Sequence, residues 1–198
     1  TVYSGASCTE EAIMRKDLGS KTYLYPMPVL IIGTYDEKGE PDAMNAAWGG
    51  ICDDDRIAIC LSAEHKTTKN IIARKAFTVS PADAEHVTAC DYVGITSGND
   101  VPDKFARAGF HALKSAHVDA PLIEELPLAL ECELVEITPA GLVIGRIVNV
   151  SADERILGAK GKVEREKLDP IAVDPVSWEY TRLGEVVGKA FSDGKKIR

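Results

Sequence analysis

Two stretches, Leu128 to Ile137 and Gly141 to Val150, have the length and polar alternation of strands and are joined by the turn Thr138-Pro139-Ala140-Gly141. Strands of that length leave rows of unpaired amides and carbonyls at a sheet edge, and a fold must cover those edges or close them. Further strands are expected over Val29 to Tyr35, Asp42 to Trp48, Ile57 to Leu61 and Phe77 to about Ser80. The first two form a hairpin across the polar, glycine-containing turn Asp36-Glu37-Lys38-Gly39-Glu40-Pro41. The pattern predicts a mainly β fold with peripheral helices and six or more antiparallel strands. A small barrel is favoured over its rival, an open sheet with one helical layer, because closure removes the edges.

The helical segments lie in the connections. Residues 81–109 are interrupted by Gly94, Ser97-Gly98 and Pro102, which predicts two short helices outside the sheet. Lys104 follows Pro102 in a helical first turn, where its amine is expected to reach outward. Ala152 to Asp169 reads as a short helix and an exposed loop, and Trp178 to Gly184 leads into a last short helix. One domain over residues 14–192 is expected, with a tail or cloning remnant over 1–13 and a loose tail over 193–198.

Arg56 to Pro81 reads as strand, loop, helix, strand, with the helix over Thr68 to Arg74. Its junction, Glu64-His65-Lys66-Thr67-Thr68-Lys69-Asn70, places hydroxyls, cations and free amides where a helix begins, which is what a phosphate group requires. A threonine there equally serves as a plain helix cap. No glycine-rich phosphate loop or dinucleotide fingerprint is present.

Charge and cysteine usage narrow the function classes. A formal net charge of −8 with no basic stripe argues against a nucleic-acid surface. Cys8, Cys52, Cys60, Cys90 and Cys132 are scattered and form no CxxC pair, so neither a disulfide framework nor a metal site is indicated and a reducing cytoplasm is expected. Asp53-Asp54-Asp55 lacks the spacing of a calcium loop and reads as a solvated turn. No apolar run is long enough to span a membrane as a helix, so no membrane partner is expected.

Several motifs occur in order: Tyr25-Pro26-Met27-Pro28 through Asp36, Met44-Asn45-Ala46-Ala47-Trp48-Gly49-Gly50-Ile51, Lys69-Asn70-Ile71, Phe77-Thr78-Val79-Ser80, Asp91-Tyr92-Val93-Gly94, Ser97-Gly98 and Asp103-Lys104-Phe105. Together they resemble the flavoredoxin group of the flavin reductase-like, FMN-binding split-barrel family, over roughly residues 14–192. The resemblance implies a homodimeric split barrel with FMN near the subunit interface. It also implies a redox role, with a reduced nicotinamide (NADH or NADPH) or a redox protein as electron partner.

The residue types suit that cofactor. Asn45, Ala46, Ala47 and Trp48 would offer backbone amides, close approach and an aromatic wall for the ring, although Trp48 is equally a core aromatic. His65, Lys66, Thr67 and Asn70 would meet the phosphate, with Ser62 and Ala63 bordering the ring or ribityl chain. Lys104 would stabilise the negative charge that the ring gains on reduction. Trp178 or Tyr180 would cover the other side of the ring, with Asp42 at its polar edge and Tyr92 and Ser97-Gly98 further out. No other catalytic constellation is present, and the flavin would carry the chemistry. An electron carrier without its own small-molecule substrate and a non-catalytic FMN-binding module are the alternatives.

Overall fold

A computed structural model describes residues 14–197, so the expected tail over residues 1–13 lies outside the described residues. In chain order the strands are β1 (Met27–Pro28), β2 (Leu30–Tyr35), β3 (Pro41–Ala46), β4 (Gly49–Asp53), β5 (Arg56–Cys60), β6 (Ala76–Pro81), β7 (Ala112–Lys114), β8 (Pro121–Ile123), β9 (Leu128–Ile137), β10 (Leu142–Ala152), β11 (Ile171–Val173) and β12 (Tyr180–Arg182). The helices are α1 (Lys66–Arg74), α2 (Val87–Ile95), α3 (Lys104–Arg107) and α4 (Arg165–Leu168). Seven strands form one antiparallel sheet in the spatial order β3-β2-β6-β9-β10-β5-β4. A smaller sheet, β1-β11-β12, ties the N-terminal approach to the end of the chain.

The chain itself forces the large sheet to curl. Its two edge strands, β3 and β4, are consecutive in sequence and separated only by Ala47 and Trp48, so the two edges must come together. Gly49 marks the seam. A Cβ there would stand 3.0 Å from the Ala58 carbonyl oxygen and 3.2 Å from Leu30 Cδ1, which belong to strands near opposite edges. Register shifts in the β9-β10 pairing at Ile144/Gly145 and Ile147/Asn149 add the local twist that such curvature needs. The result is the expected split barrel. The expected Asp42 to Trp48 strand ends at Ala46: the chain leaves the sheet there and returns as a further strand, β4, beyond the expected range. The glycine pair Gly49-Gly50 conceals that strand from a propensity reading.

Period-two alternation then builds two cores. Ile31 and Ala43 face one side with Val29, Val93, Phe105 and Phe110, where α2 and α3 cover the sheet. Ile32 faces the other with Ile57, Ile59, Phe77, Val79, Val143 and Ile71 of α1, and this side is the barrel interior. Phe77 is fully buried, and a Cβ on Gly145 would fall on its ring. Gly145→Ala is therefore expected to cost about 1–3 kcal/mol through overpacking. Urea unfolding measures it, and an unchanged midpoint would place the Phe77 ring elsewhere.

Two end-of-chain expectations are corrected. Among the described residues no α-helix follows Gly184: residues 183–189 have no regular structure, and a 3-10 turn spans Asp193–Lys196, within the stretch expected to be loose. The helix after β5 starts at Lys66 with His65 as its cap residue, two positions before the expected start at Thr68.

Candidate functional site

Four segments converge on a cleft of about 250 Å³. The start of α1 contributes His65, Lys66 and Thr67, β3 contributes Met44 and Asn45, the end of α2 and its following turn contribute Val93 to Gly98, and α3 contributes Lys104. The helix over Lys66–Arg74 has no side-chain cap and no acidic residue in its first turn. Its leading amides therefore have no intrahelical partner and present the positive end of the helix dipole. Gly94 lets α2 lie close on β3, since a Cβ there would stand 2.9 Å from Asn45 Cβ. Asn45 is held by donating to the Cys90 carbonyl at 3.2 Å, and Tyr180 behind it donates to Asp91 at 2.8 Å. Burial, then the Asp91 hydrogen bond, push the Tyr180 hydroxyl up to about 12.

Beneath the cleft lies a buried charge pair. Asp42 is 1% exposed and Lys104 3% exposed, with Lys104 Nζ 3.6 Å from Asp42 Oδ1. Lys104 also donates to the carbonyls of Thr96 at 3.1 Å and Val93 at 3.4 Å, pinning the turn that forms the cleft wall. Asp42 Oδ2 accepts from the Thr67 hydroxyl at 2.7 Å, while Asp42 Oδ1 has no hydrogen-bond partner among the described residues. Burial pulls the Lys104 ammonium below the usual lysine value, Asp42 opposes that, and the nearby Lys66 adds to it. Lys66 in turn stands 3.3 Å from Asp36. Burial alone would raise the Asp36 carboxyl, but the amides of Glu40 and Lys38 together with Lys66 hold it below the usual carboxylate range.

The expected site residues do not share one place. Asn45, His65, Lys66, Thr67 and Lys104 are brought together at this cleft. Ala47 and Trp48 line a separate apolar groove of about 380 Å³ with Leu24, Pro26, Met27 and Gly49, while Ala46 points into the core. Ser62 and Ala63 are exposed in the loop between β5 and α1, with Ser62 Oγ accepting from the Glu64 amide at 3.3 Å. Trp178 sits in the turn after β11, 69% exposed, and does not line the cleft.

Three placements correct the sequence expectations. Asn70 is buried and donates to Thr34 Oγ1 at 3.0 Å, so its amide faces the fold interior rather than the cleft. The Lys104 amine turns inward onto Asp42 instead of reaching outward, because α3 packs Phe105 into the core and carries Lys104 with it. The Thr67 hydroxyl is committed to Asp42, which leaves its amide as the available group. Met44, Val93 and Thr96 were missed as lining residues, and Asp36 as the partner of Lys66. The polar turn around Asp36 gave the only hint of that pairing.

A larger cleft of about 500 Å³ lies at the opposite end of α1, beside Tyr35, Lys114 and Arg74. Arg74 directs its guanidinium to the Asp36 carbonyl and the Asp119 carboxylate, and the carboxyl-terminal half of α1 offers no open amides there. The smaller cleft combines the open leading amides of α1 with two buried or half-buried lysines, each of them also paired with a carboxylate.

Comparison with known proteins supplies the family context. Residues 22–167 match the family model described as Flavin reductase like domain. The flavoredoxin structure of Desulfovibrio vulgaris (Miyazaki F) superposes with a TM-score of 0.88 at 41% identity, covering 91% of this chain and 100% of that one. The flavoredoxin of Methanosarcina acetivorans gives 0.84 at 25% identity, covering 94% and 100%. A protein of Aeropyrum pernix is 28% identical over 120 residues, covering 60% of this chain and 45% of its own length, so the chain spans less than half of that relative.

Proposed function

The chain belongs to the flavin reductase like domain family, and from that premise we propose that it binds FMN and moves electrons between a reduced donor and an acceptor. The observation that carries this is a cleft in which the open leading amides of α1 stand beside Lys66 and Lys104, in a chain of net charge −8. A phosphate group needs that local field in spite of the global one. The donors present, Lys66 and the leading amides of α1, fit the phosphate, whereas the orphaned oxygen beneath them is an acceptor and would suit an N–H at the polar edge of the ring. Asp42 Oδ1 is buried without a hydrogen-bond partner, and a Cβ on Gly98 would stand 2.5 Å from that same oxygen and 3.0 Å from Lys66 Cδ, so the cleft wall lies close on the charged pair only because residue 98 is glycine.

The chain's own residues then take distinct roles. Lys66, His65 and the leading amides of α1 hold the phosphate, while Ser62 and Ala63 border the ribityl chain. Asn45, oriented by Cys90, presents a polar edge, while Ala47 and Trp48 belong to the separate groove and take no part in this cleft. Lys104 favours negative charge within the cleft, and Asp42 sets how much of its charge is felt there. Bound FMN would supply the electron-accepting ring.

The 250 Å³ cleft lies below the usual 300–1,000 Å³ of small-molecule sites, which supports a homodimer in which a second copy completes the site. The four described cysteines are free, which supports a reducing cytoplasmic location. No helix among the described residues is long and apolar enough to cross a membrane.

The test is a visible spectrum of the purified chain, followed by anaerobic titration with NADH and NADPH. A flavin band that survives gel filtration and bleaches with either nicotinamide is the expected result. Reduction by a ferredoxin-type protein alone selects the electron-carrier alternative. A colourless protein that ignores added FMN overturns the flavin reading.

A further inference from the structure

We propose that the C-terminal arm, residues 183–197, crosses onto a second copy of this chain and seats its apolar side chains in the groove beside that copy's Trp48. It rests on the two-copy reading above and needs no bound flavin.

The arm carries too much apolar surface for a solvated tail. Val186 is 73% exposed, Val187 94% and Phe191 98%. It is nevertheless built. Its root is held by Arg165, which donates to the Gly184 carbonyl at 3.0 Å. Its end is closed by a turn in which the Asp193 amide donates to the Lys189 carbonyl at 3.1 Å and Asp193 Oδ2 accepts from the Lys189 amide at 2.9 Å. Phe191 stands in that turn at φ 58, a backbone region that an aromatic residue rarely adopts. A strained turn that holds a bare phenyl ring in water has a physical rationale once something covers the ring. Between root and turn, Leu183 to Lys189 can extend by up to about 23 Å, enough to leave its own body.

The groove has the complementary character. It is apolar, about 380 Å³, and lined by Leu24, Pro26, Met27 and Trp48, of which Leu24 is 72% and Trp48 56% exposed. Tyr25, between the lining residues Leu24 and Pro26, donates to Asp174 at 2.6 Å, and that acid's turn carries the exposed Glu179. Charge points to the same occupant. The arm carries Lys189, Lys195 and Lys196 against Glu185 and Asp193, whereas the whole chain stands at −8. An apolar arm of slight positive charge, with Lys196 paired to its own Asp193 at 2.9 Å, and an acidic body with an exposed apolar groove are complementary between copies.

The test uses the full chain, a chain ending at Gly184, and the point variant Phe191→Ser, each weighed by light scattering across a dilution series. We expect a two-chain mass for the full chain and at least a tenfold rise in the dissociation midpoint for both variants. In a second arm, a nitrogen-15-labelled Leu24→Cys chain is mixed with an unlabelled Phe191→Cys chain, oxidised and mapped by mass spectrometry. A disulfide-linked peptide joining labelled position 24 to unlabelled position 191 is expected, and the mapping sets it apart from products of Cys8, Cys52 and Cys60. A full-length monomer removes the two-copy reading and the arm with it. A dimer whose midpoint ignores both variants removes only the arm, as does position 191 linking to position 24 of its own chain in a Leu24→Cys/Phe191→Cys double variant.

Discussion

Asp42→Ala should lower the unfolding free energy by about 3–5 kcal/mol, because it strands a buried ammonium. Lys104 is 3% exposed, and without Asp42 its Nζ keeps only the carbonyls of Val93 and Thr96. The Thr67 hydroxyl loses its acceptor in the same step. Asp42→Asn separates the two losses, since an amide oxygen still accepts from Thr67 while the charge is gone. It should therefore cost less than Asp42→Ala, and the difference measures the hydrogen bond. Urea unfolding of both variants checks this. If Asp42→Ala moved stability by less than about 0.5 kcal/mol, the range of an ordinary surface change, the pair would be solvated and the base of the cleft would be built differently.

That carboxylate also shows where sequence reading stops. The strands with clear alternation, such as Leu128 to Ile137, were legible because one face of each is committed to a core. β4 was not, since a glycine pair masks it, and its existence follows from the closure of the barrel rather than from local propensity. At the site, the amino end of α1 was legible from the run of polar residues after an apolar strand, because helix starts are set locally. The direction of a side chain at a helix start is not set locally. Asn70 and Lys104 were both read as facing a ligand, and both turn inward, toward Thr34 and Asp42 on neighbouring strands. A buried acid-base pair between residues 42 and 104 is a tertiary fact, and nothing near either residue in the sequence encodes it. The smaller strands β7, β8, β11 and β12 escaped for the same reason, being three residues each and defined by their partners.

Lys104→Met should weaken FMN binding and lower the flavin midpoint potential, while Asp42→Asn should raise the midpoint. The two residues carry opposite charges at one point beneath the cleft, so removing either leaves the other unopposed. A unit charge acting over about 6–8 Å at an effective dielectric of 20 is worth about 2–3 kcal/mol. For a two-electron couple that corresponds to roughly 45–60 mV. The double variant should return close to the parent value, and spectroelectrochemistry of all four proteins near neutral pH completes the cycle. The pH dependence of folding supplies a reading without flavin. Burial holds the Lys104 ammonium below the ordinary lysine value of about 10.4, so between the two values the unfolded chain binds more protons than the folded one. Stability should therefore rise with pH across that alkaline window, and the rise should flatten in Lys104→Met. A midpoint that moves in the same direction in both single variants would mean that they act by distorting the cleft rather than through their charges. An unchanged midpoint together with an unchanged pH slope would remove Lys104 from the site altogether.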